Sequence, residues 1–155
     1  MKRALMGICF LVSTAVVASG GGGGGGGESL APQKNTQQQL QQAEQLVKAQ
    51  QWPQAEAILR DLRRDEANSA DVWNWSGYVA RKSGRLSEAF PYYYQALKIN
   101  PKHLGAHEYL GEAHLQNGDP QRAKDQLHIL QGLCGQCEEA QDLAAALKTA
   151  GVAVN

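Results

Sequence analysis

The stretch that decides the fold is Trp73–Pro101, WNWSGYVARKSGRLSEAFPYYYQALKINP. Its first half puts Trp73, Ser76, Gly77 and Ala80 on one helical face, and Gly84 closes that helix as a C-terminal glycine does. A second helical run, LSEAFPYYYQALKIN, continues to Pro101, which blocks further extension. Pro91 sits near the end of a first turn. It is expected to cost one hydrogen bond or to push the helix start to Glu88. Trp73, Phe90 and Tyr93 are expected to point inward. Three successive tyrosines sweep about 200° around a helix, so Tyr92 or Tyr94 must leave the core.

Outward from this stretch, the pattern recurs every 34 residues without a gap from about Thr36 to Cys137. Ala43, Gly77 and Gly111 form one such set, and Ala55, Ala89 and Ala123 another. Leu59, Tyr93 and Leu127 form a third, and Leu62, Ala96 and Leu130 a fourth. Each unit reads as two helices, with small residues letting the pair approach closely. One pair cannot cover its own apolar face, so neighbours must stack. In the third unit Gly118 closes one helix and Asp119 caps the next, which opens with Pro120. In the first unit Pro53 opens the second helix after Trp52. Beyond the units, EEAQDLAAALKTAG gives one more helix with Ala140, Leu143, Leu147 and Ala150 on a stripe. Its acidic start and Lys148 near its end suit the helix dipole, and it fits the role of an end cap.

The middle unit resembles a tetratricopeptide repeat through Trp73, Gly77, Gly84, Ala89, Tyr93, Ala96 and Pro101. The third unit follows the same pattern through Leu110, Gly111, Gly118, Ala123 and Leu127. The first unit departs from it at Gln39, Gln42 and Ala67. The resemblance implies an all-α solenoid with repeats over 36–69, 70–103 and 104–137 and a capping helix over 138–151. It also implies a concave groove lined by the first helix of each pair. Carried onto this chain, the groove positions are Glu44, Val47 and Lys48, then Asn74, Tyr78, Arg81 and Lys82, then Glu108, Glu112 and Gln116. Tyr78 is the expected anchor for a protein or peptide partner, with Asn74 and Arg81 as polar grips. Repeats that clamp chaperone C-termini want Lys and Asn where Leu40 and Glu44 stand, so that specialisation is not expected.

The N-terminal residues tell a separate story. Lys2 and Arg3 precede an apolar run, Ala4–Ala18, that ends in small residues. This describes a secretory signal peptide over 1–19. A spanning helix usually needs about 20 apolar residues, so an uncut membrane anchor is the alternative. Cys9 belongs to this run. A linker over 20–35 follows, opening with an unbroken glycine stretch, Gly20–Gly27. It lacks the Lys-Ser/Thr ending of a phosphate-binding loop. The chain of 155 residues carries 15 basic and 15 acidic side chains. No basic stripe stands out, which argues against nucleic acid. A periplasmic or secreted location follows, with no membrane insertion once the signal is cut.

Cys134 and Cys137 fall between the last repeat helix and the cap. A thioredoxin-like pair needs a strand leading into that helix, and none precedes Leu133. Haem attachment needs His where Glu138 stands, and zinc would have only His128 nearby. An exported chain meets oxidising conditions in which close thiols pair. The chain also resembles exported bacterial repeat proteins that end in two close cysteines and an acidic helix. A disulfide staple is the preferred reading and a thiol-disulfide oxidoreductase the alternative. His107 and His114 stand roughly 10 Å apart along a helix, too far to share a metal. His103 and His107 could reach one ion, but packed histidines are the preferred reading. No cofactor, no metal and no catalytic grouping are expected.

Overall fold

The computed structural model describes residues 36–154. The expected signal peptide (1–19) and linker (20–35) lie outside the described residues. Seven helices make up the rest, with no strand among the described residues. They are α1 (Thr36–Lys48), α2 (Trp52–Asp65), α3 (Ala70–Lys82), α4 (Leu86–Ile99), α5 (Leu104–Gln116), α6 (Pro120–Cys134) and α7 (Glu138–Thr149).

The chain reverses through one turn used repeatedly. After α3, Gly84 adopts φ 78°, its N–H donates to the Arg81 carbonyl, and Arg85 N–H donates to that of Ala80. The same bonds recur after α5 around Gly118 and after α7 around Gly151. After α1 the left-handed position falls to Gln50, at φ 57°. That conformation crowds a side chain and is cheap only for glycine. The inter-pair turns are closed by caps: Ser69 accepts from Val72 N–H at 3.4 Å, and His103 Nδ1 accepts from Ala106 N–H at 3.1 Å. Within the third pair, Asp119 accepts from Arg122 N–H at 3.1 Å.

All four recurring sets are buried. Ala43, Ala55, Ala89 and Ala123 are 0% exposed, as are Leu59, Tyr93, Ala96 and Leu130. Gly77 faces the Tyr93 ring so closely that an added Cβ would lie 2.5 Å from its Cε1. At Gly111 the nearest atoms belong to Leu143 of α7, so this glycine admits the next helix in the stack. The core has three zones, and each crosses a boundary between units. Val72 and Val79 of α3 join the core of the first pair. Leu110 and Ala113 of α5 join that of the second, and Ala140, Leu143 and Leu147 of α7 join that of the third. Each pair is therefore sealed by its successor.

One expectation is corrected in part. Trp73 and Phe90 are only partly buried, although Phe90 still packs against the core that holds Tyr93. Trp73 Nε1 reaches back to the Ala67 carbonyl at 2.7 Å while its ring leans on Tyr92, and Phe90 packs on His114 of α5. Of the two outcomes expected at Pro91, the lost hydrogen bond is the one that occurs. α4 starts at Leu86, and the cost is the one hydrogen bond that would have run to the Ser87 carbonyl. Tyr94 is the tyrosine that leaves the core, at 48% exposed.

Helix proximities fix the curvature. The first helices of successive pairs adjoin, α1 to α3, α3 to α5 and α5 to α7. By contrast, no comparable approach joins α2 to α4 or α4 to α6. The first helices therefore line the inner side. The N-terminal halves of α3, α5 and α7 meet around one cleft and their C-terminal ends around another, so the three run the same way.

Cys134 ends α6 and Cys137 is the N-cap of α7. The two sulfurs are joined, with Cα atoms 5.6 Å apart. Both side chains pack against the α5–α7 core. Among the described residues no helix is long and apolar enough to cross a membrane.

Candidate functional site

The inner face is built by the 34-residue register itself. Asn74 and Glu108 occupy one position of successive first helices, Glu44, Tyr78 and Glu112 a second, and Lys48, Lys82 and Gln116 a third. A spacing of four residues puts these positions on one stripe of each helix.

At the centre lies a platform of aromatic rings. Tyr78 and Tyr109 have centroids 4.7 Å apart, and Trp75 meets Tyr78 edge-on at 5.6 Å. Trp75 lies 6.3 Å from Tyr109, and Trp52 of α2 closes on Tyr78 at 6.4 Å. These four rings, with Val47, Lys48, Gln50 and Lys82, line a cleft of about 490 Å³. Lys82 Nζ sits 5.4 Å from the Tyr78 centroid, within cation–π range. Trp75 Nε1 donates to Glu44 at 3.0 Å, which fixes the indole. Burial pushes the Tyr109 hydroxyl pKa upward, with Glu108 adding to it, so both tyrosines remain neutral donors.

The expected grips behave differently. Arg81 is only 5% exposed, pairs with Glu112, and lies 3.4 Å from the Tyr93 hydroxyl. Its guanidinium is stacked near Tyr78 and Tyr109 at 5.4 and 5.8 Å. It ties α3 to α5 from beneath the platform and is not a free grip. Asn74 and Glu108 are also buried, at 4% and 7% exposure. Val47 belongs to the core. Lys48, Lys82 and Gln116 are exposed on the rim.

Sequence reasoning did not assign Trp52, Trp75 and Tyr109 to the groove. Trp75 and Tyr109 stand 34 residues apart on successive first helices, and that repeated aromatic position was the available signal. Trp52 comes from a second helix and had none. His103 and His107 turn to protein partners: His103 Nε2 donates to Asp71 at 2.9 Å, and His107 Nε2 donates to the Pro101 carbonyl at 2.9 Å. Among the described residues no cluster of metal-ligating side chains forms.

Two family profiles, both described as tetratricopeptide repeat, match residues 40–103 and 80–147, together most of the chain. The chain belongs to the tetratricopeptide repeat family. No curated protein sequence matches it. Solved structures resemble it at low identity. The Yersinia enterocolitica type III secretion translocator chaperone SycD superposes with a TM-score of 0.67 at 16% identity, over 75% of this chain and 91% of that one. PcrH, in complex with the chaperone-binding region of PopD, gives 0.65 at 18% identity, over 74% and 90%. The tetratricopeptide repeat domain of Arabidopsis OM64 gives 0.67 at 15% identity, over 74% and 94%. At these identities the likeness establishes the fold: an all-α tetratricopeptide solenoid.

Proposed function

We propose that this chain is a non-enzymatic scaffold that binds a peptide or protein segment along its inner groove. The observation that carries this is the platform of Trp52, Trp75, Tyr78 and Tyr109 at the floor of a cleft with charged rims. Large rigid aromatics offer contact area at little entropic cost, which is why they anchor binding surfaces. SycD and PcrH, which share the fold, have been solved in complex with a peptide of the translocator YopD and with the chaperone-binding region of PopD, respectively. The N-terminal basic and apolar run supports a site of action in the periplasm or outside the cell. Sequencing the N-terminus of the exported form checks this: an intact Lys2–Arg3 start means an anchored scaffold instead.

The joined Cys134 and Cys137 act in this reading as a staple that fixes the cap helix. The helix dipole disfavours a thiolate at Cys134, which ends α6, and favours one at Cys137, which N-caps α7, so it does not decide between the readings. What weighs against the oxidoreductase alternative is that a helix, not a strand, leads into the pair. Insulin reduction by the protein at rates comparable with thioredoxin would overturn the staple.

For the groove, heptapeptides displayed on phage are selected on the immobilised full chain. Their binding should fall about tenfold or more with Tyr78→Ala or Trp75→Ala. It should be unchanged by Ile129→Ser, on the exposed surface of α6. Peptides indifferent to both groove variants would sink the proposal.

A further inference from the structure

Beside the aromatic platform, and sharing Trp75 and Tyr109 with it, lies a second cleft of about 380 Å³ between α1, α3, α5 and α7. Its walls carry six carboxylates. Two have partners: Glu44 accepts from Trp75, and Asp71 from His103. The other four, Glu108, Glu138, Glu139 and Asp142, form no ion pair among the described residues. Glu138 and Glu139 also suit the first turn of α7. Neither Glu108 nor Asp142 has that explanation.

Asn74 supplies an independent observation. Its side chain lines this cleft, is 96% buried, and its Oδ1 accepts no hydrogen bond. Buried acceptors are almost always paired, so this oxygen is set for a donor that enters the cleft. The entering group must donate N–H and carry positive charge to match the carboxylates. A bare metal ion does not fit, because no three ligating side chains come together here among the described residues. A guanidinium does fit. Its fork of donors can serve scattered acceptors, and the indole and phenol walls offer aromatic faces to a cation.

We propose that this cleft takes an arginine side chain of the bound segment, next to the residue held on the aromatic platform. The inference rests on the groove reading above and names what that groove selects. Burial, followed by Glu112, Asp142 and Glu139, pushes the Glu108 carboxyl up to about 8 while nearby Arg81 opposes the rise. A cation delivered into the cleft relieves that repulsion.

The test uses the full chain and two probes. Phage heptapeptides whose capture depends on Tyr78 should be enriched in arginine. Replacing that arginine with neutral citrulline should weaken a synthetic peptide about tenfold, the worth of one charge-assisted hydrogen bond. Glu139→Gln with Asp142→Asn should abolish the difference. Tyr78-dependent peptides with no arginine enrichment, or with equal citrulline affinity, overturn this inference and leave the groove reading standing. If capture is independent of Tyr78, the groove reading fails and N-acetyl-arginine methylamide decides. Shifts of the Asn74 side-chain amide in NMR spectra with this compound, but not with its citrulline analogue, support the cleft. No such shift overturns it.

Discussion

Replacing Gly77 with alanine tests the close approach on which the helical pairs depend. An added Cβ would lie 2.5, 2.7 and 2.9 Å from Tyr93 Cε1, Cδ1 and Cζ. These are ring carbons of a side chain with no exposure, and its hydroxyl lies beside Arg81. The ring cannot swing clear without moving α4. Overpacking of this kind costs about 1–3 kcal/mol, and replacing a helical glycine returns up to about 1 kcal/mol. The expected net loss is about 1–2 kcal/mol, a fall in Tm of roughly 4–8 °C for a domain of this size. Gly132→Ala is the control, because nothing lies within 4 Å of its Cβ position on α6. That variant should gain up to about 1 kcal/mol. A further check comes from the first pair, where Ala43 stands in the Gly77 position and Leu59 in that of Tyr93. Gly77→Ala with Tyr93→Leu should therefore recover part of the loss. Urea unfolding of the variants gives the energies directly. Equal stabilisation by Gly77→Ala and Gly132→Ala would refute the packing argument.

Gln50→Gly should stabilise the chain by about 1 kcal/mol, since it relieves the one left-handed turn not filled by glycine among the described residues; no rise in the urea midpoint would count against this. Glu108 should make stability fall as pH rises. Its folded pKa of about 8 exceeds the ordinary 4.5, so the native state holds the extra proton between those values and the benefit is lost as pH climbs through about 8. Because the cleft is open to water, the stability gained by Glu108→Gln should grow by only about 1–2 kcal/mol between pH 5 and 8.5. A gain independent of pH would contradict the buried-carboxyl account. Serine at both Cys134 and Cys137 should cost up to about 1.9 kcal/mol, the worth of closing so small a loop, and added reductant should lower the Tm of the parent chain but not of this variant.

The solenoid was legible because its determinants are periodic. A residue type that recurs in one register at Ala55, Ala89 and Ala123 reports a backbone constraint that holds whatever the surrounding side chains do. Gly111 shows where this reasoning stops. Its register mate Gly77 meets the second helix of its own pair, whereas Gly111 makes room for Leu143 of the cap. The repeat announces a close approach but not which neighbour makes it. Arg81 was misread for a related reason. Its helical position faces the groove, yet Glu112 on the next first helix draws it down into a buried pair. A pattern read along one helix does not contain that partner.

The polarity of the groove follows from the same stacking. Each first helix, taken alone, favours acids in its first turn and bases in its last. Asp71 opens α3 and Arg81 and Lys82 end it; Glu138 and Glu139 open α7 and Lys148 ends it. In an isolated helix this arrangement is a local device for stability. Stacked in parallel, the helices add their ends together, so one rim collects Asp71, Glu138, Glu139 and Asp142, and the other collects Lys48 and Lys82. A segment lying across the aromatic platform therefore meets negative charge at one end and positive charge at the other. Reversing it would set like charges together, so the groove should hold its partner in one direction. An arginine peptide and its reversed sequence should then differ in affinity, and the difference should shrink when Lys82→Glu is combined with Glu139→Lys.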